Sequence, residues 1–184
     1  MSAGHGHGAE HHGGNKGVAL LISVLALILA FAETLGKGAQ TGALAYNIEA
    51  SNLWAFFQAK TIRQTVLRTA AEEIEAGGAS EAQKKQAAKW KDTASRYQSE
   101  PDTGEGREQL AARAKEAEKK RDTSMAAYHH YEVASAAVQI AIVLASASII
   151  AEIVALAWAG AALGVVGVLF CVIGFSFPTA VHLF

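Results

Sequence analysis

The sequence predicts an all-α membrane protein with three transmembrane helices and a long-helix, coiled-coil-like insert outside the membrane. The first observation is that charge is segregated: 15 of the 16 Lys and Arg residues lie between Lys37 and Arg121. The second is that the flanking segments are almost entirely apolar, since Glu152 is the only charged residue in the 45 positions 133–177. Apolar runs of this length on either side of one charged segment are typical of a membrane protein with a single water-exposed insert.

The first transmembrane helix is predicted over residues 17–36. Residues 18–32 are 15 consecutive uncharged, mostly apolar positions, and about 20 residues at 1.5 Å rise cross a hydrocarbon core of roughly 30 Å. A signal peptide is the alternative, because Lys16 precedes the run and Ala30-Phe31-Ala32 has the small-x-small form of a cleavage site. We expect an uncleaved anchor.

Residues 1–16 are rich in Gly and His, show no apolar periodicity, and are expected to be disordered or ordered only by a neighbour. Imidazoles bind zinc, copper or nickel. The weak candidate ligands are His5, His7, His11 and His12. A flexible tail without Cys, Asp or supporting hydrogen bonds fixes no coordination geometry, so we expect no physiological metal site.

The insert is predicted over residues 37–131 and begins by extending the first helix. Residues spaced by three and four form an imperfect a/d stripe. They are Tyr46, Ala50, Leu53, Phe57, Lys60, Gln64, Leu67, Ala71 and Ile74. Gly77-Gly78 should end this helix, and Ser80 with Gln83 should cap a shorter one that runs to about residue 98. A loop over 99–106 then leads into a long helix that rises toward the membrane.

The last apolar run predicts two further transmembrane helices, over residues 132–152 and 155–178. Forty-five apolar residues are too many for one crossing, so the chain should reverse at about 151–157. A carboxylate at the bilayer centre costs at least ~3 kcal/mol, which favours Glu152 in the turn at the water interface. An intramembrane proton or ion site is the alternative. Glu33, at the end of the first span, is likewise expected at the interface.

Several residues are predicted to mediate packing and assembly. Gln139 lies within the second span, where an amide usually bonds a neighbouring helix. Gly160 and Gly164 form a small-xxx-small pair on the third span, which lets helix backbones approach closely. In the insert, Trp54, Phe56, Phe57 and Lys60 point around much of one helix, which favours burial against neighbouring subunits. A cofactor site at these aromatics is the sharper alternative.

The composition excludes several classes of function. A net charge of −1 with interleaved acids and bases argues against nucleic-acid binding. The single cysteine, Cys171, excludes an internal disulfide. No nucleophile triad, phosphate-binding loop or paired-carboxylate site is recognisable, so we expect no enzymatic activity and no cofactor.

Two stretches resemble a known family. ASNLWAFFQAK, residues 50–60, and QIAIVLAS, residues 139–146, are similar to the signatures of the bacterial membrane family named domain of unknown function 4337. The resemblance covers most of the chain from about residue 17 and implies one span, a helical insert and a two-span hairpin, with no established activity. Family members often carry Arg or Lys at the hairpin turn, whereas this chain has Ala151-Glu152, so the side of the membrane that carries the insert is left open.

These observations together predict a homo-oligomeric structural or scaffold protein, multi-pass in the bacterial inner membrane. Its expected partners are membrane lipids and further copies of itself, with a larger membrane complex as another candidate. The alternatives are a channel or transporter subunit, with Gln139, Glu33 or Glu152 lining one shared cavity, and an accessory subunit of a membrane complex.

Overall fold

A computed structural model describes residues 12–180 and contains four helices. They are α1 (His12–Ala76), α2 (Glu81–Gln98), α3 (Arg107–Ala151) and α4 (Val154–Ser176). No strand occurs in this range, so the all-α prediction is confirmed. Within the described residues, α1, α3 and α4 are long and apolar enough to cross a membrane.

The first helix begins earlier than the sequence indicated. Residues 12–16, expected to belong to a disordered tail, are the first residues of α1. Extending an existing helix by one residue is far cheaper than nucleating a new one, so a long apolar helix can carry a polar, Gly-containing start.

The helix ends in the insert follow the local signals. The α1 helix stops at Ala76, and Gly78 adopts a φ of 76°, which glycine tolerates without a steric penalty. Ser80 then caps α2: its hydroxyl accepts from the backbone N–H of Gln83, and its own N–H donates to the Gln83 side chain at 2.8 Å. This is the predicted capping box, and it satisfies two donors that the helix start leaves unbonded.

Only Glu152 and Ile153 separate α3 from α4. Glu152 has a φ of 57° and Ile153 is extended. Apart from glycines, Glu152 is the only positive-φ residue in the described range. The left-handed conformation costs a non-glycine residue roughly 1–2 kcal/mol, so the Glu152 backbone in this turn carries a local strain of that size.

The chain divides into two compact units. Unit 1 comprises residues up to Thr41 and from Thr123 onward, and unit 2 comprises Gly42–Asp122. In unit 1, Leu25 of α1 packs with Val138, Ala141 and Ala145 of α3 in a buried apolar cluster. In unit 2, the core is Leu53 of α1 against Leu110 and Ala114 of α3, with Trp54 and Phe57 packed on it.

Candidate functional site

The glycines of α4 form its buried face in unit 1. A Cβ at Gly160 would lie 2.8 Å from the Ala141 carbonyl oxygen, and one at Gly164 would lie 2.4 Å from Leu25. A Cβ on Gly167 would approach Val138 to 2.5 Å. The predicted small-residue pair therefore lies at close helix contacts within the chain, where any side chain larger than hydrogen forces a neighbour to move.

Gln139 and Glu33 meet on unit 1, at a groove between α1 and α3. The Gln139 amide donates to the Glu33 carboxylate and to the Ser135 hydroxyl, both at 3.4 Å. The groove has a volume of about 460 Å³, and its lining also includes Lys37 and Glu132. Gln139 thus contacts a second helix, and its partner is a carboxylate.

The groove lies where charged residues resume on both helices, and we call it the boundary groove. On α1, residues 18–32 are uncharged and Glu33 and Lys37 follow; on α3, Glu132 is the last charged residue before the apolar run from residue 133. In a helix that spans a membrane, charged residues that flank the apolar run lie at the edge of the hydrocarbon. Glu152 does not line the groove but lies exposed in the α3–α4 turn.

His130 is a buried polar residue of unit 1. Only 1% of the His130 surface is exposed. Its ring stacks on Phe170 at 6.1 Å between centroids, and Nε2 lies 3.2 Å from the Pro178 carbonyl oxygen. It therefore joins α3 to the segment after α4.

In unit 2, the predicted aromatic cluster is largely covered by its own chain. Trp54 donates from Nε1 to a carboxylate oxygen of Glu118 at 2.9 Å, and its ring meets Phe57 edge-to-face at 5.4 Å. Both rings pack on the Leu53 cluster. Phe56 differs, since it remains 39% exposed. Contacts within the chain therefore account for the partial burial of Trp54 and Phe57.

Lys60 is buried, with only 6% of its surface exposed. Its ammonium lies 3.7 Å from carboxylate oxygens of both Glu100 and Glu105, and about 5 Å from the ring centroids of Phe56 and Tyr97. A hydrogen bond from the neighbouring Arg96 lowers the pKa of Glu100. The ammonium is thus compensated by two anions and two aromatic faces.

Gln64, the second polar residue of the a/d stripe, is 2% exposed and links three helices. Its amide donates to the Ala94 carbonyl oxygen at 2.9 Å and to the Gln98 side chain, and its carbonyl oxygen accepts from Arg107. Arg107 also lies over the Phe57 ring at 4.9 Å. Lys60 and Gln64, the two polar residues that interrupt the a/d stripe, therefore make its most specific contacts.

All nine a/d-stripe residues are buried or half-buried, whereas the opposite side of α1 carries a second apolar set that is exposed. We define the exposed stripe as Ile48, Ala55, Ala59, Ile62 and Val66. Its spacings of seven, four, three and four also follow a heptad. Ile62 is 65% exposed and Val66 is 60% exposed.

The partners of these polar residues were not predictable from the sequence. Glu118 and Arg107 lie 64 and 43 positions from the residues they bond, so no local spacing signals them. The available signal was indirect: a Lys and a Gln at stripe positions require polar partners on the facing helices.

In the part of the chain that the structure describes, no cluster of three or more metal-ligating side chains occurs. His5, His7 and His11 lie outside the described residues, and His12 is the first residue of α1.

Among known proteins, a family model described as "Domain of unknown function (DUF4337)" matches residues 14–177, which is most of the chain. No curated protein and no solved structure matches it.

Proposed function

This chain belongs to the family described as domain of unknown function DUF4337, and from that premise we propose that it is a membrane-anchored scaffold that self-associates through the exposed stripe of α1. The observation that carries the proposal is an apolar heptad stripe that lies exposed on the part of α1 belonging to unit 2. The proposal assigns no catalytic step to the chain and places it in the bacterial inner membrane as a multi-pass protein.

The geometry of α1 favours two separate packing faces. The exposed stripe is offset by two residues from the a/d stripe, which at 3.6 residues per turn corresponds to about 200° around the helix. The a/d stripe is occupied by α2 and α3 of the same chain, as the Leu53 and Gln64 contacts illustrate. The exposed stripe is therefore free to form a coiled-coil-like contact with α1 of another copy.

The free energy gained by burying the exposed stripe is suited to association in a membrane. Full burial of an Ile or Val contributes about 1.5–3 kcal/mol, so the exposed fractions of Ile48, Ile62 and Val66 are worth roughly 3–5 kcal/mol per copy. Two copies together then gain about 5–11 kcal/mol, against an association cost of roughly 4–15 kcal/mol. The stripe alone gives a weak contact, and confinement of both copies to one bilayer raises their effective concentration.

Native mass spectrometry of the full-length protein, gently extracted from its membrane, tests the proposal. We expect an integer multiple of the 19.3 kDa chain. The double substitution Ile62→Asp/Val66→Asp should shift the distribution to the monomer, because it places carboxylates in the proposed contact.

Thr65→Asp is the matched control: Thr65 is exposed on the same helix between the two stripe residues but is not part of the stripe. It should leave the multimer intact. A wild-type monomer, or a multimer that survives the double substitution, would contradict self-association through this stripe. Extra mass from a second polypeptide would instead favour the accessory-subunit alternative.

A channel or transporter subunit is the second candidate, and one observation favours it. Glu33 and Gln139 share the boundary groove, as such a pathway requires. Glu152 is not part of that groove, so the three polar residues do not form one continuous lining. Ion flux across vesicles that is lost in Glu33→Gln but kept in Glu152→Gln would support this candidate.

A further inference from the structure

We propose that the boundary groove of unit 1 binds the headgroup of a zwitterionic phospholipid with a primary ammonium, of the phosphatidylethanolamine type. Lys37 would receive the phosphate, and Glu33 and Glu132 would receive the ammonium. This inference rests on the membrane location in the proposed function, but not on self-association.

The charges of the groove are available to a ligand. Glu33 and Lys37 are four residues apart on α1, a spacing at which opposite charges often pair. Yet neither forms an ion pair within 4.0 Å with any residue that the structure describes, and the only hydrogen bond to the Glu33 carboxylate is the 3.4 Å contact from Gln139. Glu132 adds a carboxylate on the facing helix, 3.7 Å from the His129 ring.

Two anions and one cation in one groove favour a ligand that carries both signs of charge. A purely anionic lipid would meet two carboxylates, and a metal ion would find no cluster of three ligands among the residues that the structure describes. A primary ammonium offers three N–H donors to carboxylates, whereas the trimethylated nitrogen of a choline lipid offers none. Hydrogen bonds that involve charged groups are strong enough to discriminate the two headgroups by roughly tenfold or more.

The shape of the groove is also suitable. Its lining includes the small residues Ala32, Gly36 and Ala136, so the two helix backbones approach closely and leave an open trough of about 460 Å³. A Cβ on Gly36 would lie 3.3 Å from the Tyr131 Cβ, which shows how near α1 comes to α3 beside it. An open trough at the hydrocarbon edge admits a headgroup while the acyl chains remain in the bilayer.

The test uses the full-length protein in nanodiscs that contain equal parts phosphatidylethanolamine, phosphatidylcholine and phosphatidylglycerol. After transfer to mild detergent, native mass spectrometry counts the lipids that each protein retains. We expect phosphatidylethanolamine to be retained about tenfold over phosphatidylcholine, since methylation of the nitrogen removes its donors.

Glu33→Gln/Glu132→Gln should reduce this preference to none, while Glu152→Gln, a carboxylate of unit 1 outside the groove, should keep it. Ile62→Asp/Val66→Asp should keep it too, so that lipid binding and self-association fail independently. Circular dichroism confirms that each variant remains helical.

Three results would overturn the inference. The first is equal retention of the ethanolamine and choline lipids. The second is a preference that survives the double Gln substitution. The third is displacement of the lipid by low concentrations of soluble phosphoethanolamine, which would identify a free headgroup rather than a lipid as the ligand. A change of protomer number in Glu33→Gln/Glu132→Gln without loss of lipid would instead assign the groove to a cationic side chain of a second copy.

Discussion

Substitution of Gln64 by Leu should weaken the packing of α2 on the rest of unit 2 without unfolding the protein. Leu has a similar volume but cannot bond the Ala94 carbonyl oxygen or Arg107, which Gln64 contacts in the buried interior. The Ala94 carbonyl keeps its own helix bond, so the larger loss is the bond to the guanidinium. Arg107 would retain Gln98 at 3.0 Å and the Phe57 ring.

The expected magnitude follows from these contacts. A hydrogen bond to a charged group contributes about 1.5–3 kcal/mol and a neutral one about 0.5–1.5 kcal/mol. The added apolar burial of Leu offsets about 1 kcal/mol of this loss. A net cost of about 2 kcal/mol corresponds to amide exchange roughly 30-fold faster if α2 opens locally.

Hydrogen exchange followed by mass spectrometry on the full-length protein measures this directly, peptide by peptide. Acceleration should be confined to α2 and the start of α3, with the apolar segments of unit 1 unaffected. Gln58→Leu is the control, since Gln58 is exposed on the same helix, and it should change stability by less than about 0.5 kcal/mol. If Gln64→Leu leaves α2 exchange unchanged, the buried amide does not hold α2, and the reasoning from its hydrogen bonds is wrong.

Three further predictions concern packing, capping and pH. Gly167→Ala should lower the melting temperature in detergent, because the new Cβ would lie within 2.5 Å of a valine methyl on α3; the expected cost is about 1–3 kcal/mol. Gly38→Ala is the control, since nothing lies within 4 Å of a Cβ at that position. It should raise the melting temperature through a helix-propensity gain of about 0.5–1 kcal/mol. Ser80→Ala should remove the capping box and cost about 1 kcal/mol, seen as faster exchange of the first amides of α2. The hydrogen bond from Arg96 lowers the pKa of Glu100 below its ordinary 4.5, so its contribution to unit 2 is complete above that value and is lost as the pH falls through the lowered one. Arg96→Ala should therefore make an acid titration of unit 2, followed by circular dichroism, less steep below pH 4.5; an unchanged profile would exclude this ion pair as a source of acid sensitivity.

The helix boundaries were predictable because their signals are local. Glycine at 77–78, the Ser80 capping box and the loop at 99–106 each act within a few residues, and the structure follows them. The start of α1 was misjudged for the opposite reason. Composition measures the preference of an isolated segment, whereas residues 12–16 are helical as a continuation of a long helix.

The candidate sites were predictable only in part, because their geometry depends on residues far apart in sequence. The a/d stripe correctly identified the buried face of α1, and Gln139 was expected to bond another helix. That its partner is Glu33, 106 positions away, depends on the register of α1 against α3, which no spacing within either helix determines. Burial of Trp54 and Phe57 within the chain depends in the same way on where α3 crosses α1.

The glycine face of α4 has a consequence for how the family varies. Hydropathy treats every apolar residue of α4 as equivalent, yet Gly160 and Gly167 face backbone and side-chain atoms of α3 at less than 3 Å from a notional Cβ. The exposed positions of α4, such as Val165 and Leu169, have no such neighbour. In relatives, we expect the exposed positions to exchange freely among apolar residues. A larger residue at position 167 should occur together with a smaller one at position 138, so that variation at these two sites is correlated and records the contact between the two helices.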